Sequence, residues 1–144
     1  MTSDLVSLTR RILEAWNSGD MDAWSRFYAA DVTFDSTLTN GVLVSGRERL
    51  RDYQAEWRTT YGEISIAAEE IVDMGNGVVF GVYRQTARPI ETDGYVTQQE
   101  AMIGLIGEGL VSRLIIYPQS ELAEARAAAE RLAGEGSTPQ APPT

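Results

Sequence analysis

The stretch W-N-S-G-D-M-D-A-W, residues 16–24, places Asn-Ser-Gly-Asp between two tryptophans in a region that is otherwise apolar at helical period. Upstream, Leu5, Leu8, Ile12 and Trp16 recur three or four residues apart, so they share one helix face. Gly19 follows, and glycine enters the left-handed conformation that ends helices at little cost. Asp20 can then accept hydrogen bonds from the free amides of a new helix start. The stretch therefore reads as a hinge between two helices. The second, M-D-A-W-S-R-F-Y-A-A, residues 21–30, carries its own stripe of Met21, Trp24, Phe27 and Tyr28.

Residues 31–36 (D-V-T-F-D-S) alternate and predict a short strand, and residues 37–46 read as a loop. Ser45 followed by Glu48 has the spacing of a capping box, opening a third helix with apolar face Leu50, Tyr53, Trp57 and Tyr61, closed by Gly62. Four strand-like runs come next, about 63–73, 77–90, 95–106 and 110–118, separated by G-N-G, E-T-D-G and G-E-G turns. This pattern predicts an antiparallel meander. Strands longer than the usual 5 to 6 residues should curl strongly, and Gly81 and Gly104 fall mid-strand, where they permit bending or leave space. From Ser120 an Ala-rich helix presents Leu122, Ala125, Ala129 and Leu132, and is expected across the mouth of the domain or beside a dimer seam. One domain over residues 1–134 is expected, with 135–144, rich in proline, a disordered tail.

Composition narrows the chemistry. The 144 residues carry a net charge of −9, and all twelve basic residues are arginine, with no lysine, histidine or cysteine. Such a charge repels phosphate backbones and anionic lipid surfaces, so neither nucleic acid nor membrane is an expected partner. A thiolate nucleophile, a lysine Schiff base, an imidazole base and Cys/His zinc sites are excluded, leaving Asp, Glu and Tyr as acid-base candidates. No metal and no cofactor is expected. The N-terminal residues lack the uninterrupted apolar segment of a secretion signal, and a cytoplasmic location is expected.

Four segments, E-A-W-N-S-G-D-M-D-A-W-S-R-F-Y-A-A-D-V-T-F, S-G-R-E-R-L-R-D-Y-Q-A-E-W, E-E-I-V-D-M-G-N-G-V-V-F and L-V-S-R-L-I-I-Y-P-Q-S-E-L-A-E-A, together with their order, carry a resemblance. Over about residues 5–130 the chain resembles the nuclear transport factor 2-like superfamily, in its SnoaL-like and ketosteroid-isomerase-like group. The resemblance implies an α+β fold, a cone-shaped curved antiparallel sheet wrapped around N-terminal helices with a C-terminal helix. It also implies an apolar pocket open at one end and a homodimer formed through the outer sheet face. By the same carry-over the pocket is lined by Ile12, Trp16, Phe34, Ser36, Tyr53, Trp57, Val79, Gly81, Tyr83, Gln85, Gln98, Glu100, Met102, Gly104, Leu114 and Ile116.

Two known chemistries of this group do not carry over. Ketosteroid isomerases use an Asp, a Tyr and a protonated Asp where this chain has Ser36, Ile12 and Met102. Asp35 is one residue away, but a one-residue step along a strand turns the side chain to the other face, so it reads as a solvated or loop-anchoring acid. Limonene epoxide hydrolases use an Asp-Arg-Asp set where this chain has Gln85, Tyr83 and Ile116.

What remains is Glu100, the acid the resemblance places inside, where burial would raise its pKa into the range of a general acid or base. Tyr83 could donate a hydrogen bond to a carbonyl or enolate, with Gln85 and Gln98 orienting substrate. The residues alone leave the strand's orientation open. Ala101, Ile103 and Leu105 could equally be its core face, leaving Gln98 and Glu100 in solvent, unless a dimer partner covers those three from outside. The leading expectation is a cofactor-independent cyclase or isomerase acting on an apolar, carbonyl-bearing small molecule, with Glu100 and Tyr83 catalytic. The alternatives are a non-catalytic dimeric ligand-binding module and, more remotely, an epoxide hydrolase.

Overall fold

Gly19 and Asp20 behave as their residue types dictate. In the computed structural model, which describes residues 3–137, helix α1 (Asp4–Ser18) ends at Gly19 with φ +81°, and the Asp20 side chain accepts from the Ala23 N–H at 3.0 Å to open α2 (Met21–Ser25). The asparagine in the hinge has a separate task. Asn17 Nδ2 donates to the Ile66 carbonyl at 2.9 Å and Asn17 Oδ1 accepts from the Ile66 N–H at 2.8 Å, which fastens the end of α1 to a strand edge. Arg58 adds a third tie, donating to the Trp16 carbonyl at 2.9 Å with its guanidinium 4.6 Å over the Trp16 ring.

Because Ile66 is buried, Asn17→Ala leaves two backbone groups without partners. That costs about 1–3 kcal/mol, more than alanine returns in helix propensity. A urea titration should show a lower midpoint at unchanged slope.

The remaining elements are β1 (Tyr28–Ser36), β2 (Val42–Ser45), α3 (Arg47–Arg58), β3 (Tyr61–Gly75), β4 (Val78–Pro89), β5 (Val96–Gly107), β6 (Leu110–Pro118), a 3-10 turn (Gln119–Glu121) and α4 (Leu122–Ser137). One six-stranded sheet runs β2-β1-β6-β5-β4-β3. The meander β3 to β6 is antiparallel as predicted, while β1 joins β6 in parallel. Two of its turns are two-residue loops, Asn76-Gly77 and Glu108-Gly109, with positive φ at both residues, as tight hairpins require. Register shifts at 68/70 and 73/75 in β3 and at 105/106 in β5 mark bulges that bend the sheet around the helices.

Several local expectations are corrected. Helix α2 stops at Ser25, since Tyr28 already pairs with Val111 and the Val111 N–H donates to the Phe27 carbonyl at 2.9 Å. Sheet pairing prevails there over the helical stripe. The loop expected at 37–46 contains β2, which pairs with β1. Ser45 makes no capping box: it is extended and in register with Thr33, so Gly46 occupies the cap position, without a side-chain bond. Gly62 lies inside β3, and α3 ends at Arg58. Helix α4 continues to Ser137, and the rest of the tail expected to be disordered, 138–144, lies outside the described residues.

Two apolar layers result. Between the concave face and α1–α3 lie Leu8, Ile12, Trp16, Trp24, Tyr28, Phe34, Leu50, Ile66, Tyr83 and Ile116. On the convex face lie Phe80, Val82, Ala101, Ile103 and Ile115, covered by Ala125, Ala128, Ala129 and Ala133 of α4. Helix α4 thus sits on the outer sheet face, not across the mouth, and it does the covering that the sequence reading assigned to a dimer partner. Among the described residues no helix is long and apolar enough to cross a membrane.

Candidate active site

Strand parity places the acid. With Ala101 and Ile103 fully covered beneath α4, the alternate residues of β5, Gln98, Glu100, Met102 and Gly104, must face the concave side. There they border a cavity of about 370 Å³. Protein interiors leave few voids larger than a water molecule, and this one is in the range of small-molecule sites.

Every residue singled out for substrate contact or catalysis lines it: Ile12 and Trp16 from α1, Phe34 and Ser36 from β1, Tyr53 and Trp57 from α3, Tyr83 and Gln85 from β4, Gln98, Glu100 and Met102 from β5, Leu114 and Ile116 from β6. Val79 and Gly104 line it too. Gly81 does not. A side chain there would collide with the Tyr83 ring, which folds back over the glycine and covers it. Gly81 therefore serves to seat Tyr83.

Glu100 is half-buried, and its carboxyl makes no hydrogen bond or ion pair among the described residues. Burial alone pushes its pKa from 4.5 up to about 7, so near neutral pH the group exists in both protonation states. Tyr83 stands directly across the β4–β5 ladder from Glu100, and Gln85 stands across from Gln98 nearer the rim. The Tyr83 and Tyr28 phenols, both buried, are held well above the ordinary tyrosine pKa by desolvation, so both are permanent hydroxyl donors.

The wall opposite is aromatic. Trp57, Trp16, Trp24 and Tyr28 form a chain with centroid separations of 6.4, 5.5 and 4.6 Å, and Tyr53 lies 6.2 Å from Phe34. Such contacts add about 0.5–1.5 kcal/mol each beyond area burial, which stiffens this wall. The Trp16 indole nitrogen is buried without a hydrogen-bond partner among the described residues.

Ser36, although on the wall, is occupied: its hydroxyl donates to Asn40 Oδ1 at 2.7 Å and closes the β1–β2 connection. Asp35 accepts from the Thr37 N–H at 3.0 Å and from its hydroxyl at 2.6 Å, which holds its pKa below the usual carboxylate value. It is the loop-anchoring acid its strand parity implied. Arg84 faces outward, 3.0 Å from Glu69.

Sequence reasoning missed Thr9, Leu13, Trp24, Tyr28, Thr39, Asn40, Gln54, Tyr61, Ile66, Ile106 and Val111 as lining residues. Gln54 had a readable signal, lying four residues beyond Leu50 on the inward helix stripe, where a polar residue is informative.

The family model of the SnoaL-like domain matches residues 9–104, most of the chain. The chain belongs to the SnoaL-like domain family. The matched span runs from α1 through β5 and includes both Tyr83 and Glu100. No curated protein matches the sequence.

Solved structures share the SnoaL-like architecture at low identity. A ketosteroid-isomerase-like protein from Catenulispora acidiphila, in complex with trimethylamine, superposes with a TM-score of 0.71 at 13% identity, covering 88% of this chain and 95% of that one. TerC, crystallised with polyporic acid, gives 0.70 at 13% identity over 89% and 99%. A candidate SnoaL-like polyketide cyclase from Shewanella putrefaciens gives 0.69 at 11% identity over 89% and 98%. At these identities the likeness is one of fold.

Proposed function

We propose that this SnoaL-like domain is a cofactor-independent enzyme that moves protons on an apolar, carbonyl-bearing small molecule, in a cyclisation or isomerisation. The observation that carries the reading is Glu100, an unpaired carboxyl on a cavity wall with a pKa of about 7. In its ionised form it takes a proton from the carbon beside the carbonyl, and in its protonated form it returns one. Tyr83, a phenol that stays protonated, stabilises the charge that develops on the carbonyl oxygen. The aromatic wall holds the substrate's apolar body, and Gln85 and Gln98 orient its polar end near the rim.

Proton abstraction is tested without knowing the natural product. Bicyclic ketones such as 2-tetralone, incubated with the protein in deuterated water, should lose their α-proton NMR signals faster than in buffer. The rate should climb with pH through about 7, because the carboxylate is the base. No acceleration across a panel of apolar ketones would sink the proposal.

The same reading places the reaction in the cytoplasm. It also keeps a homodimer, although not one formed through the sheet face beneath α4, because Ala101, Ile103 and Ala129 are already fully buried there.

A further inference from the structure

Among the described residues three polar ones are buried, Thr9, Ser36 and Gln54. Thr9 donates to the Leu5 carbonyl at 2.8 Å and Ser36 donates to Asn40 at 2.7 Å. The side-chain amide of Gln54, a residue 9% exposed, makes no hydrogen bond with any described residue. Buried amides are normally paired, and an exception asks for a cause. Here the cause is local. Gln54 lines the cavity, and its amide is not among the fully occluded unpartnered atoms, which among the described residues comprise only the Trp16 nitrogen. The carboxamide is therefore sheltered from bulk solvent yet open to the cavity. It projects from α3, which also contributes Tyr53 and Trp57 to the cavity lining, and such rings suit a flat ligand.

We infer that Gln54 is the specificity-determining residue of the cavity, pairing through its amide N–H and C=O with a flat ligand that carries a hydrogen-bond acceptor and donor on adjacent atoms of one edge. A carboxamide offers one donor and one acceptor side by side, so a cis-lactam or hydroxy-carbonyl edge satisfies both, whereas a ligand with neither leaves the amide unpaired. Loss of such a match in a sheltered site is penalised far more heavily than loss of a methylene. The inference rests on the proposed reading only in taking the cavity as the ligand site, and it is independent of catalysis by Glu100.

The test is binding by calorimetry or tryptophan fluorescence with two probes of similar shape, quinolin-2-one, which has the paired edge, and naphthalene, which does not. Wild-type protein should prefer quinolin-2-one by about 10-fold or more. Gln54→Leu should abolish that preference, bind naphthalene at least as well, and melt no lower than wild type, since no protein hydrogen bond is lost. Equal preference in wild type and Gln54→Leu would overturn the inference, as would a lower melting temperature in the variant, which would mean the amide serves the fold. Wild-type binding of naphthalene without preference for quinolin-2-one would overturn it while leaving the cavity a ligand site. Binding of neither probe would overturn the ligand-site reading and the inference with it.

Discussion

Glu100→Gln should yield a protein that is more stable than wild type above pH 7 and at least about 100-fold slower in α-proton exchange. Both effects come from one cause. Glu100 lies in a cavity wall with no cation of the described residues acting on it, and burial raises its pKa from 4.5 to about 7. A carboxyl whose folded-state pKa lies above its unfolded value favours the fold fully below the unfolded value, and that favour is lost as pH rises through the folded one. Wild type therefore weakens between about pH 4.5 and 7, and above that range it carries an ionised, poorly solvated carboxylate.

Glutamine of the same shape has nothing to ionise. The stability difference between variant and wild type should be constant below pH 4.5 and then shift in the variant's favour by roughly 3 kcal/mol by pH 8. Denaturant titrations of both proteins at several pH values isolate it, because the other acids titrate alike in the two. Parallel pH profiles would mean that Glu100 ionises as in water. Exchange near the wild-type rate in the variant would assign the proton transfer to another group.

Legibility in the sequence followed how local each determinant is. The hinge at 16–24 was readable because Gly19 and Asp20 act through their own backbone neighbours. The hairpins at Asn76-Gly77 and Glu108-Gly109 were readable for the same reason. The orientation of β5 was not, since both of its faces are covered, by the cavity rings on one side and α4 on the other, and a strand covered twice shows no clean alternation.

The family resemblance supplied the parity that the residues left open, and with it the set of lining positions. Failures occurred where distant pairing overrode a local signal. Tyr28 was drawn into the sheet by Val111, and Ser45 was kept from capping by Thr33. The position of α4 was hidden because its contact surface is alanine, which makes only a faint stripe however completely it is buried.

On that alanine surface, Ala129→Asp should cost more than about 3 kcal/mol and turn the protein into a self-associating one. Ala129 is fully buried, in the same apolar layer as Phe80 and Ile103. Small side chains there allow the helix to lie close on the sheet, and the cation at its border is already paired, so among the described residues none is free to receive a carboxylate. Arg126, the basic residue one turn earlier on α4, is engaged 2.7 Å from Glu70 with its guanidinium 4.7 Å over the Phe80 ring. A charge left in such a layer either protonates or drives the surfaces apart, and separation is the easier course for a helix packed on one face only. Separation uncovers Phe80, Val82, Ala101, Ile103 and Ile115 as one contiguous apolar face, the kind that associates with its like. Sedimentation velocity should show larger species for the variant than for wild type, and urea midpoints should fall. Ala129→Ser, which adds a hydroxyl able to bond back to its own helix, should stay near wild type in both measurements. A variant aspartate that leaves mass and midpoint unchanged would show that α4 does not hold this face closed.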